Sequence, residues 1–114
     1  KIHGLKLGLV TGASRQRLMN TGITSFLNQF DVLVTGDQLS HGKPSPEPYL
    51  FGAQKLNVTP PLCLVVENAP LGIESAKNAG MHCVAICSTL GREHLGLADK
   101  IVNTIGELPS LLGQ

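Results

Sequence analysis

The stretch L-C-L-V-V-E-N-A-P-L-G-I-E-S-A-K-N-A-G, Leu62 to Gly80, constrains the fold more than any other part of the chain. Its first half, Leu62 to Val66, is an unbroken apolar run with two adjacent valines, which suits a short strand buried on both faces of a parallel sheet. Its second half reads as a helix. Pro70 fits the first turn, where its missing N–H costs nothing, and Gly80 supplies a left-handed stop. Glu67 and Asn68 fall between the two. A strand running into a polar turn and then a helix sets such residues at the carboxyl edge of the sheet, where open α/β folds bind their ligands. Taken alone, the pair is equally well read as an ordinary strand-end cap.

The rest of the chain repeats this alternation. Leu5 to Thr11 is an apolar segment ending in T-G-A-S, a strand and a turn, and Ser14 is placed to N-cap a helix from Arg15 to about Asn20. Ser25 to Phe30 carries Phe26, Leu27 and Phe30 at helical spacing. Asp31 to Thr35 reads as a strand, Gly36 to Pro48 as a loop rich in glycine and proline, and Glu47 to Leu56 as a helix burying Tyr49, Leu50, Ala53 and Leu56. His82 to Cys87 is a further strand, Gly91 to Leu97 a loop or short helix, Ile101 and Val102 a terse last strand, and Gly106 to Leu112 a closing helix. Strands alternating with helices of this length imply right-handed crossovers, and so an α/β domain with a parallel sheet covered on both faces.

Composition narrows the function. With 114 residues, 42% hydrophobic and 15% charged, the chain suits one folded domain rather than a disordered tail. A formal charge of +1, one Tyr, three Phe and no Trp leave no basic stripe with stacking aromatics, so no nucleic acid is expected as a partner. No apolar run approaches the roughly 18 residues of a membrane span, so no membrane partner is expected and a cytoplasmic location is. Cys63, Cys83 and Cys87 lie in apolar runs. If Cys83 and Cys87 share a strand, four steps of about 3.3 Å separate them by about 13 Å, too far for a disulfide or a shared zinc. Buried free thiols follow, as in a reducing compartment. His3, His41, His82 and His94 show no metal-ligand spacing.

Three polar features sit at strand ends or in the loops after them: Thr11-Gly12, His41-Gly42-Lys43-Pro44 and Glu67-Asn68. In a parallel sheet those ends converge on one edge. A hydroxyl, a free backbone N–H, an ammonium and a carboxylate with an amide then face one small volume. That set suits a phosphoryl group held with a divalent cation.

The runs L-V-T-G-A-S, H-G-K-P-S-P-E-P-Y and V-V-E-N-A-P-L-G-I-E-S-A-K-N-A-G-M resemble the second, third and fourth motifs of the haloacid dehalogenase-like (HAD) hydrolases, in particular the beta-phosphoglucomutase and phosphoglycolate phosphatase branch. The resemblance spans Leu5 to about Val102. It implies a Rossmann-like, three-layer parallel sheet and a Mg2+-dependent phosphatase or phosphomutase acting on a small phosphorylated substrate through an aspartyl-phosphate. It also implies that Thr11 and the Gly12 N–H bind the transferred phosphoryl. Lys43 would then be catalytic and phosphate-binding, neutralising charge between nucleophile and phosphate, and Glu67 with Asn68 would hold the magnesium ion.

Two departures from the family pattern stand out. No apolar strand ending in Asp-x-Asp-Gly occurs, since Asp31, Asp37 and Asp99 have no second Asp two positions on. The nucleophile, the acid/base aspartate and the helical cap that follows them are therefore expected elsewhere. With a first residue of Lys1 rather than Met, residues 1–114 are expected to be the C-terminal portion of a HAD-like core, its sheet incomplete and gapped between the strands ending at Thr11 and Val66. Such a gap exposes apolar edges, so a missing N-terminal segment or an oligomer contact is expected, and the chain alone should be inactive and poorly stable or oligomeric. Secondly, Asn68 stands where many members carry Asp, which should weaken magnesium binding by removing one negative charge. The rival from another class is a degenerate, non-catalytic half that binds a partner segment. V-T-G-A-S-R also resembles the opening of short-chain dehydrogenases, but Gln16 and Leu18 stand where that motif needs glycine.

Overall fold

The computed structural model describes residues 5–22, 24–86 and 95–103. Strand β1 (Gly8–Val10) is followed by the short helices α1 (Arg15–Met19) and α2 (Thr24–Leu27), and these return the chain to β2 (Val32–Val34). A 3-10 turn over Gly36–Gln38 and a loop lead into α3 (Glu47–Leu56). Then come β3 (Leu64–Glu67), α4 (Pro70–Asn78), β4 (His82–Ile86) and β5 (Lys100–Val102). Each of these elements lies where the sequence places it, with ends shifted by up to three residues: β1 is shorter than the Leu5–Thr11 segment, α2 ends at Leu27, β3 runs from Leu64 through Glu67 and β5 begins at Lys100. The expected closing helix from Gly106 to Leu112, most of the Gly91–Leu97 segment and Cys87 lie outside the described residues.

Among the described residues all the ladders are parallel. β1 pairs with β2, Leu9 opposite Leu33, and β3-β4-β5 form a second sheet with Val65 opposite Cys83 and Ala85 opposite Ile101. β1 and β3 share no ladder, so the sheet is split at the position where the gap is expected. Helix α3 spans the split: it packs on β1 and β2 and also against α4, which covers β3 and β4. A Cβ on Gly52 would stand 3.3 Å from Val10 and 3.8 Å from Val34, so α3 lies close on its strands. The main core gathers Tyr49 and Ala53 from α3, Val65 from β3, Ile73 and Ala76 from α4 and Cys83 from β4. Ile73 is 1% exposed, and burial of such a side chain contributes about 1.5–3 kcal/mol.

The helix ends follow from their sequence. Ser14 has extended backbone and its hydroxyl accepts the Arg17 N–H, capping α1. Pro70 opens α4. At its far end Gly80 takes a φ of 78°, the Met81 N–H reaches the Ala76 carbonyl and the Gly80 N–H that of Lys77, a Schellman stop. α3 ends the same way, with Asn57 at a φ of 61° in place of glycine.

Two packing expectations are corrected. The run Leu62–Val66 does not form a strand buried on both faces. Pro60 to Leu62 make a 3-10 turn, β3 starts at Leu64, and only Val65 is buried while Leu64 and Val66 are each 39% exposed. The reason is one-sided cover: α4 packs on the face that Val65 enters, whereas Leu64 and Val66 point to the opposite face, and among the described residues β3 pairs only with β4. On α3, Leu50 is exposed rather than buried. The inward stripe is Tyr49, Gly52 and Ala53, with Leu56 partly covered, and Leu50 lies about 100° round the helix from Tyr49.

Candidate functional site

At the carboxyl end of β3, Glu67 turns its side chain back over the first turn of α4. Space for it exists because residue 72 is glycine: a Cβ there would fall on the carboxylate itself. Lys43 reaches Glu67 from the loop before α3, with Nζ 2.8 Å from Oε2 and side-chain exposures of 26% and 10%. Tyr49 completes the cluster. Its hydroxyl donates to the same Oε2 at 2.8 Å, and the Lys43 ammonium lies 5.2 Å from its ring centroid. Desolvation, reinforced by the Glu67 charge, raises the phenol well above its ordinary pKa, so Tyr49 is a neutral donor at any working pH. The other carboxylate oxygen, Oε1, accepts the Asn68 N–H at 3.1 Å and no other bond among the described residues.

The loop carrying Lys43 is braced by the helix it enters. Glu47, the first residue of α3, points backwards: Oε2 accepts the Ser40 N–H at 2.8 Å and Oε1 the His41 N–H at 2.9 Å, with the His41 ring Nδ1 at 3.3 Å. The Ser40 amide is the chief cause holding the Glu47 carboxyl below its usual range. Ser45 returns the brace, its hydroxyl accepting the Glu47 N–H at 3.2 Å. The Lys43–Pro44 peptide is cis.

Thr11 and Gly12 form a second station. The Thr11 N–H extends the ladder to the Val34 carbonyl at 2.9 Å, and its hydroxyl accepts the Ala13 N–H at 3.1 Å. The close approach in this turn is at Gly36, where a Cβ would collide with the Gly12 carbonyl oxygen; the Gly36 N–H donates to Ala13 O at 2.8 Å. Gly12 itself is exposed, with open space where a side chain would be. The structure thus joins Lys43 to Glu67, keeps Asn68 beside them with an exposed side chain, and bonds Thr11 to its own turn rather than to Lys43 or Glu67. Sequence reasoning missed Tyr49 as a member of the cluster, although a buried tyrosine hydroxyl needs a partner and that signal was available. It also missed Gly72, whose need for a missing Cβ is set by a side chain five residues back.

Among the described residues no group of three His, Cys, Asp or Glu is placed to hold a metal ion. Glu67 Oε1 and the Asn68 amide oxygen are hard donors of the kind magnesium takes, but two ligands fill only a minority of its roughly six positions. Cys63 and Cys83 are free thiols; burial pushes the Cys83 thiol up to about 12, which leaves it inert. No helix among the described residues is long and apolar enough to cross a membrane.

Parallel strands under crossover helices, with an ammonium and a carboxylate meeting at their carboxyl ends, define an α/β protein whose polar site lies on the sheet edge. Residues 1–86 match the haloacid dehalogenase-like hydrolases, and the chain belongs to that family. Validoxylamine A 7'-phosphate phosphatase of Streptomyces hygroscopicus subsp. limoneus is 39% identical over 104 residues, covering 90% of this chain and 48% of the relative. A phosphorylated carbohydrates phosphatase of Thermotoga maritima is 41% identical over 82 residues, 71% of this chain and 38% of the relative. Among solved structures, a HAD phosphatase from Thermococcus onnurineus superposes with a TM-score of 0.84 at 31% identity, over 96% of this chain and 51% of that one. The beta-phosphoglucomutase of Clostridium difficile gives 0.78 at 29%, over 91% and 45%. The chain therefore spans about half the length, or less, of the proteins it matches.

Proposed function

We propose that this chain is the C-terminal part of the core of a magnesium-dependent phosphatase or phosphomutase, acting on a small phosphorylated molecule of the kind its relatives are named for. The observation that carries this reading is the Lys43–Glu67 pair at 2.8 Å, held at the head of α4 and braced by Tyr49. In this reading Lys43 offsets the negative charge that gathers when an anionic nucleophile approaches a phosphate ester. Thr11 and the Gly12 N–H donate to the phosphoryl oxygens. Glu67, through Oε1, and Asn68 contribute two ligands to magnesium, which when bound screens phosphate charge; the remaining ligands come from water, substrate and a segment outside this chain. That segment also supplies the attacking aspartate. The split between β1 and β3, with Leu64 and Val66 half-exposed beside it, supports a strand entering there.

The test is magnesium-dependent hydrolysis of p-nitrophenyl phosphate by the longer protein that carries this sequence. Lys43→Ala is expected to lower kcat by roughly 10²–10³, the usual cost of removing one charge-stabilising group. An unchanged rate would remove Lys43 from the mechanism, and no hydrolysis with any phosphate ester would leave the non-catalytic binding module as the better reading.

A further inference from the structure

Helix α4 does more than follow Glu67. Two of its side chains, Ser75 and Asn78, lie three residues apart and so on one face, and both donate to consecutive carbonyls of the Lys43 loop. The Ser75 hydroxyl donates to Ser45 O at 2.5 Å and the Asn78 amide to Pro44 O at 3.2 Å. These contacts cross 30 and 34 residues of sequence. Ser75 is fully buried and its hydroxyl has this one acceptor among the described residues, whereas Asn78 is exposed and has water as an alternative, yet turns inward to the loop.

We propose that Ser75 and Asn78 are positioning residues: a two-point latch from α4 that holds the turn Lys43-Pro44-Ser45 so that the Lys43 ammonium stays on Glu67. The geometry gives the reason. Glu67 is fixed to the start of α4 by the short connection through Asn68 and Ala69, and the latch fixes the Lys43 loop to the far half of the same helix. One rigid element then sets the separation of the two charges. The brace from Glu47 holds Ser40 and His41, before Lys43, and meets the turn after it at the Ser45 hydroxyl, while the Pro44 and Ser45 carbonyls of that turn are taken by α4. The functional consequence rests on the reading of Lys43 proposed above, but the latch itself does not.

The latch is tested by competitive acetylation of the lysines, followed by mass spectrometry, in wild type, Asn78→Ala and Ser75→Ala. Lys6 and Lys55 serve as references, because they bond to the carbonyls of Leu56 and Leu33, away from α4. Lys43 is expected to react roughly two- to tenfold faster relative to the references in each variant, the factor corresponding to one net hydrogen bond. Unchanged relative reactivity in Asn78→Ala, an exposed site where folding is not at stake, overturns the proposal. So does a rise shared equally by all three lysines, which would mean general loosening. In the longer protein, kcat for p-nitrophenyl phosphate should fall by a similar factor, with KM held within about twofold. If wild type hydrolyses nothing, the phosphatase reading fails while the acetylation result still decides the latch.

Discussion

Replacing Gly72 by alanine sets two effects of opposite sign against each other. In helical backbone the change should stabilise α4, by at most about 1 kcal/mol and less in its first turn. The added Cβ, however, falls on the Glu67 carboxylate. That carboxylate is the end of a flexible side chain and is able to swing away, so the cost is not a clash but the loss of what it holds: Lys43 Nζ and Tyr49 OH, each at 2.8 Å. Hydrogen bonds to a charged group contribute about 1.5–3 kcal/mol each when buried. Since Lys43 is a quarter exposed, the low end applies, about 2–3 kcal/mol for both together. The net expectation is destabilisation by about 1–2 kcal/mol, or a Tm lower by roughly 4–16 °C for a domain of this size. The assay is thermal and urea denaturation by circular dichroism in two backgrounds, wild type and Glu67→Ala. In the second the obstructing atoms are gone, so Gly72→Ala should be neutral or stabilising, and the difference between backgrounds is the coupling energy. If Gly72→Ala stabilises the wild type, or acts equally in both backgrounds, the placement of Glu67 over Gly72 is wrong.

Other perturbations separate the remaining contacts. Tyr49→Phe keeps the ring beneath Lys43 and removes only the bond to Glu67; it should cost about 1–2 kcal/mol in urea denaturation, and a neutral result would refute a structural role for the hydroxyl. On the proposed reading of Asn68 as a magnesium ligand, Asn68→Asp in the longer protein should tighten magnesium binding severalfold, roughly the worth of one added ligand charge, as measured by titration calorimetry; weaker binding would take residue 68 out of the ligand set. Asp99 receives Lys77 at 2.7 and 2.9 Å and the Cys83 N–H at 2.7 Å, and these bonds, Lys77 first, hold its carboxyl below the usual range. A carboxyl depressed on folding contributes stability that is complete above its unfolded pKa of about 3.9 and is lost as the pH falls through the folded value. Tm should therefore drop below about pH 4, and Asp99→Asn should flatten that part of the curve.

Much of the fold was legible because it depends on local physics. The stop at Gly80, the cap at Ser14 and the proline opening α4 are short-range steric and hydrogen-bonding effects, readable within a few residues; the matching stop at Asn57 came from the structure. The order of strands followed from alternation with helices, and the split of the sheet from the absence of the motif that would bridge it. Burial was less legible. Leu64, Val66 and Leu50 look like core residues by composition, and their exposure depends on which layers face them.

The sequence by itself determined the family, the α/β order and the residues to examine, Thr11, Gly12, Lys43, Glu67 and Asn68, because these rest on residue type and spacing. Only the tertiary structure decided which of them meet. It brought Lys43 to Glu67 across 24 residues, added Tyr49, required glycine at position 72 and tied the lysine loop to α4 through Ser75 and Asn78. Such contacts join segments far apart in the chain, and their distances follow from how α3 and α4 pack on the strands.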